Sequence, residues 1–287
     1  MKKIPVCTVI LFAALYFSCK DELSCSKIIE EAGNMAETNP DSIPVILERI
    51  VDPGELPDAE KADYGYLMAL SHASTGKAMA EDGLILYTLS YYKEHSLTGK
   101  LAKTYLLAAG YYAWNKDRPM YQTMLRAGLD FSLEMRDSAM ISQFYRSIGK
   151  DHYREKEYRQ AITSYRQAEI YEEDDPNIYY HTGLGYAFTG KVDSMNCYFN
   201  KAIELAVQQN EMDLASHYRR NYADVLYGQG RYGEALSLQK QLLDADGQSP
   251  PVTTYNSIAG IFLTMRQTDS ARVYIDLADT CLARERE

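Results

Sequence analysis

The chain is 287 residues long, 46% hydrophobic and 24% charged, the balance of an ordinary globular protein. Asp+Glu is 40 against 30 for Lys+Arg, and the net charge of −10 excludes a general nucleic-acid binder, which needs a basic face. The 17 Gly and 9 Pro exclude a collagen-like or low-complexity chain, and the one anomaly is 25 Tyr against 7 Phe and 1 Trp.

Met1-Lys2-Lys3 makes a short positive start, residues 4–17 carry no charge, and Ser18-Cys19 closes the run before Lys20-Asp21-Glu22. That order predicts a secretory signal over residues 1–18. As a helix the uncharged run reaches only ~21 Å, short of the ~30 Å hydrocarbon core, so a permanent span is the weaker reading. Tyr16-Phe17-Ser18-Cys19 resembles the lipoprotein signal of Bacteroidetes-type bacteria. The resemblance implies that Cys19 becomes the first mature residue and carries acyl chains such as palmitate, with residues 19–25 as a short tether. Several chains, at ~0.8 kcal/mol per buried CH₂, make a stable anchor. Lys20-Asp21-Glu22 also resembles an acidic export signal, which leaves two locations open: the periplasmic side of the outer membrane or its surface. The remaining Cys25, Cys197 and Cys281 are odd in number and widely spaced, so they form no disulfide framework and no metal pattern. Cys197 and Cys281 fall in helical patterns and are expected to be buried thiols.

From residue 26 onward apolar residues recur at intervals of three and four, which predicts helices. Polar punctuation separates them at Asn39-Pro40-Asp41, Asp52-Pro53-Gly54, Asn115-Lys116-Asp117, Asp174-Asp175-Pro176 and Gln248-Ser249-Pro250-Pro251. Such regularity calls for a search for repeats. One unit reads Tyr145, Gly149, His152, Tyr158, Ala161, Tyr165, Ala168. The next reads Tyr179, Gly183, Tyr186, Phe199, Ala202, with Gly183 falling 34 residues after Gly149. Further copies start at Leu101, Ser216 and Val252, with Ala108, Ala223 and Ala259 where those two units have Gly. The pattern resembles the tetratricopeptide repeat (TPR), a helix–turn–helix of about 34 residues. The resemblance implies an all-α fold, a right-handed superhelical solenoid of about six helix pairs. Its repeats would cover 101–141, 142–175, 176–215, 216–251 and 252–287, after degenerate pairs over 26–100. Small residues let paired helices approach closely, and aromatic rings fill the seams between pairs. That accounts for the Tyr excess, with rings in the seam and hydroxyls at the rim. The sequence departs from the pattern at Met120, Met195 and Leu242, where Ala is usual, and at Gln239, where an aromatic is usual. Looser packing is expected there.

Signals of enzyme chemistry are poor. His72, His95, His152, His181 and His217 stand in no paired-ligand spacing, and no nucleophile elbow is present. Gly185, Gly190 and Lys191 imitate a phosphate-binding loop but lack its Ser/Thr and its preceding strand, so Gly190 reads as a turn glycine. Glu172 to Asp175 lacks the alternation of a calcium loop and reads as a solvated helix end. No catalytic residue, cofactor or metal is assigned. Asp-Ser recurs at 41–42, 137–138, 193–194 and 269–270, where helix capping is the first reading. The second is a resemblance to an O-glycosylation motif of exported Bacteroidetes proteins, with Ser42, Ser138, Ser194 and Ser270 as acceptors.

In stacked repeats of this type the first helices line a groove. Carried over position by position, the resemblance places Gln143, Arg146, Lys150, Tyr153, Arg154, Asn177, Tyr180, His181, His217, Arg220, Asn221, Asp224, Tyr227 and Asn256 on it. Four cations on one face of an acidic chain suit a peptide or protein partner with an acidic end, since guanidinium groups take carboxylates bidentately. The functional expectation is a non-catalytic protein–protein interaction scaffold, held in the cell envelope by its N-terminal lipid alone. The alternatives are the sensory module of a truncated or split membrane regulator, or a glycan-capture lipoprotein, for which the single Trp114 is a meagre platform.

Overall fold

The computed structural model describes residues 24–76, 83–245 and 252–284. The signal segment and Cys19 lie outside them. The described residues contain fourteen α-helices and no strand. They form two compact units, the first ending at Phe131 and the second beginning at Ser132.

The first unit opens with α1 (Cys25–Asn34) and the short α2 (Ile43–Leu47), followed by α3 (Asp58–Thr75), α4 (Leu84–Glu94), α5 (Thr98–Trp114) and most of α6 (Arg118–Met135). Ile28, Ile29 and Ala32 of α1 bury against Ile43 and Leu47 of α2 and Leu67 of α3. Gly65 brings α3 onto α4, since a Cβ there would sit 2.4 Å from the Thr88 hydroxyl. That hydroxyl donates to the Ala62 carbonyl at 3.0 Å and fastens the pair.

The second unit continues with α7 (Ser138–Arg154), α8 (Tyr158–Tyr171), α9 (Pro176–Thr189), α10 (Val192–Gln208), α11 (Met212–Gly228), α12 (Tyr232–Ala245), α13 (Val252–Thr264) and α14 (Thr268–Arg284). Most of its turns share one device. A single residue takes the left-handed conformation: Lys156 at φ 62°, Gly190 at 72°, Asn210 at 61°, Gly230 at 75° and Arg266 at 58°. The next N–H then reaches back five residues, as Glu157 N to His152 O at 2.9 Å and Gln267 N to Phe262 O at 2.8 Å. This closure satisfies carbonyls that the helix end would leave orphaned and reverses the chain within three residues. Gly190 is accordingly a turn glycine, as its sequence context predicts.

Pairing inside each hairpin follows the small residues. A Cβ on Gly149 would lie 3.0 Å from the Tyr165 ring, and one on Gly183 would lie 3.2 Å from Phe199. Ala161, Ala168 and Ala202 are fully buried. Phe199 in turn stacks on Tyr222 of the next hairpin, with ring centroids 4.6 Å apart. The tyrosine hydroxyls find partners at the rim: Tyr222 donates to Asn196 at 2.7 Å and Tyr198 to Glu169 at 3.2 Å.

Two expectations change. Cys197 is exposed, because it faces away from the stripe on which Met195 and Phe199 are buried, and Cys281 is only half-buried. The helices α7 and α11 also begin one turn ahead of the repeat starts at 142 and 216. The Asp137 carboxylate caps the added turn of α7, accepting from Met140 N at 3.1 Å. By contrast α9 starts on its repeat boundary, where Pro176 occupies a first-turn position that needs no N–H donor.

Candidate first-helix binding face

Within the second unit α7, α9, α11 and α13 lie side by side, and side-chain contacts tie each to the next. Arg146 of α7 contacts Asp175 at the start of α9. Tyr180 of α9 stacks on Tyr218 of α11 at 4.5 Å, and its hydroxyl accepts from Asn221 at 2.7 Å. The Tyr218 hydroxyl donates to Asn177 at 2.8 Å. Tyr227 of α11 pairs with Thr264 of α13 at 2.8 Å. The residues that the repeat resemblance assigns to the groove fall on these four helices, and they divide into two kinds.

Some hold the face together. Arg146 is bound to Asp175, with Glu172 a further 3.9 Å away, so it is a structural cation and not an open one. Its partner stands 29 residues later in a turn that the sequence presents as simple punctuation. Tyr180 is buried. Tyr153 is half-buried and packs edge-on against Tyr158 at 5.5 Å and Phe188 at 5.9 Å. His181 stacks on Tyr165 at 5.3 Å. Burial, together with the positive charges of Lys150, Arg146 and His217, lowers its pKa to about 4, so it is neutral at physiological pH. Asn221 reaches both Tyr180 and His217, the latter at 2.9 Å.

The rest remain open to a partner. Lys150 and Arg154 are exposed, about one and two turns of α7 beyond Arg146, and neither makes an ion pair among the described residues. Arg220 is half-buried and lies near Asp224, whose carboxyl burial holds above the usual carboxylate range against the opposing pull of the guanidinium. Gln143 is half-buried, and its side-chain oxygen has no hydrogen-bond partner among the described residues. Asp224, Tyr227, His217 and Asn256 are exposed. Of the four proposed acceptor serines, Ser138 is exposed, and Ser42, Ser194 and Ser270 are half-buried.

Sequence reasoning missed one recess on the other side of the hairpins. It encloses about 890 Å³ between α8 and the α9–α10 hairpin, on the second-helix side, where Arg159, Arg166 and Lys191 stand around Ile162, Tyr186 and Glu169. The available signal was Arg159 and Arg166, seven residues apart and therefore on one face of α8. No described group of three or more His, Cys, Asp or Glu is placed to hold a metal ion. No described helix is long and apolar enough to cross a membrane.

No family model matches the chain, and no curated protein matches it. Solved structures do. Apo RapI superposes with a TM-score of 0.63 at 12% identity, over 92% of this chain and 99% of that one. A signal transduction ATPase with numerous domains from Pyrococcus horikoshii, which has a tetratricopeptide repeat sensor, gives 0.70 at 11% identity, over 91% of this chain and 43% of that one. Aspartyl phosphate phosphatase F from Bacillus subtilis gives 0.56 at 13% identity, over 90% of this chain and 70% of that one. At such identities the likeness shows the fold, an all-α solenoid of tetratricopeptide type.

Proposed function

We propose that the chain is a non-catalytic interaction module that captures an acidic segment of a protein partner on the first-helix face of its second unit. The observation that carries this reading is the pair Lys150 and Arg154, exposed and without ion-pair partners among the described residues of a chain of net charge −10. Cations left open on an acidic molecule steer and orient an anionic partner, while the tyrosine–asparagine lattice beneath them holds the face rigid. Export and lipid attachment at Cys19 complete the proposal and place the face at the outer membrane, on either of its sides. A sensory role is the second reading. It is favoured by the fold shared with a tetratricopeptide repeat sensor, and it uses the same face.

The test is affinity capture from native envelopes, with the wild type compared with Lys150→Glu/Arg154→Glu. Both positions are exposed, so the variant keeps the wild-type helical circular dichroism. Loss of the captured protein supports the reading, and undiminished capture contradicts it. Arg146→Glu is the wrong probe, since it places a third acid beside Glu172 and Asp175 and loosens the fold.

A further inference from the structure

In the α11–α12 hairpin Ala223 occupies the small position, and Gln239 stands where Tyr165 and Phe199 cover their glycines in the two preceding hairpins. Gln239 is 1% exposed, and its Oε1 receives no hydrogen bond among the described residues. A buried carbonyl left unpaired is costly, and native proteins rarely tolerate one without a reason. Beside it lies a pocket of about 180 Å³, floored by Ala223, Gly260 and Ile261 and edged by Asp224, Tyr227 and Ser257. An aromatic ring at Gln239 would occupy this space. Thr254 of α13, also 1% exposed, has a hydroxyl without a partner among the described residues, but it does not line the pocket.

The pocket therefore combines an apolar wall, the covered amide of Gln239, whose unpaired oxygen reaches a guest once the side chain turns toward it, and a carboxylate at its edge, and no cation among the described residues lines it. Asp224 and Tyr227 belong to the first-helix face. We propose that the pocket receives an N–H-donating side chain from the partner, a Lys ammonium or an Asn or Gln amide, whose methylenes lie on Ala223 and Ile261. The proposal rests on the capture reading and deepens it. The partner segment carries an acid that meets Lys150 and Arg154 on α7 and a donor that enters between α11 and α13, which fixes the direction in which it lies. The departure from the repeat pattern at Gln239 is then a specificity device, with packing given up to make the pocket.

The test uses the full chain and small probes. n-Butylammonium and propionamide, titrated into protein labelled with ¹⁵N, are expected to shift the Gln239 side-chain amide and the Ser257 backbone amide saturably, and propionate is not. Whichever donor answers identifies the side chain. Gln239→Phe is expected to raise Tm, abolish those shifts and weaken partner capture at least tenfold. Gln239→Met, which keeps the length and removes the amide, serves as a second variant if the ring does not fit. The pocket proposal is overturned if neither donor shifts these signals, if propionate shifts them equally, or if both variants capture the partner as the wild type does. Absence of any captured protein with the wild type would instead sink the capture reading, and the probe titration would still judge the pocket.

Discussion

Lys156 holds φ 62° in the same kind of turn that Gly190 and Gly230 make at 72° and 75°. A side chain in this region is strained, and glycine is not. Lys156→Gly is therefore expected to stabilise the protein by about 0.5–1 kcal/mol in urea denaturation, net of the entropy that glycine adds to the unfolded chain. Gly149→Ala is expected to cost about 1–2 kcal/mol, because the Tyr165 ring 3.0 Å from the new Cβ is rigid and must shift. His181 gives a pH dependence. Its folded pKa of about 4 lies below the unfolded 6.5, so the unfolded state binds the extra proton. Stability is intact above about pH 6.5 and is lost as pH falls from there toward 4, by about 2–3 kcal/mol relative to His181→Gln. Equal losses in the two proteins between pH 7 and pH 4 would remove this assignment.

At the scale of the element, the helices are legible in the sequence because local chemistry repeats. The contact of Gly149 with Tyr165 and that of Gly183 with Phe199 fit the small and aromatic positions of the repeat that the sequence resembles. The helix starts were less readable. Asp137 caps α7 with its carboxylate, whereas Asp193 sits in the first turn of α10 and the cap residue Lys191 makes no side-chain bond there. The same Asp-Ser pair thus does different work in two places. Asp137→Ala is expected to cost about 1 kcal/mol, and Asp193→Ala only the smaller helix-dipole contribution, about 0.3–1 kcal/mol. Thermal denaturation of both variants checks the order.

Across the second unit, stability is distributed unevenly. The core rich in large side chains runs through α9, α10 and α11, where Met195, Phe199, Tyr218 and Leu226 are almost wholly buried. The last helix, α14, buries Ala271 and Ala278 and leaves Val273, Ile275 and Leu277 substantially exposed. Stacked repeats are stabilised by their neighbours, so hydrogen exchange is expected to be slowest in α9 to α11 and fastest in α14. The candidate site was only half legible. Its expected position comes from the repeat resemblance, in which first helices share a face. Its charge pattern does not, because the state of Arg146 depends on Asp175, which no local periodicity connects to it, and the Gln239 pocket depends on residues of three helices.

The most direct measurement is photo-crosslinking in native envelopes from a crosslinker placed at residue 143 on the first-helix face, which leaves Lys150 and Arg154 intact, with residue 272 on exposed α14 as the reference. The account predicts one acidic protein trapped from residue 143, lost when Lys150→Glu and Arg154→Glu are added, and nothing specific from residue 272. The same adducts from both positions, or an adduct at 143 indifferent to the two substitutions, would contradict it.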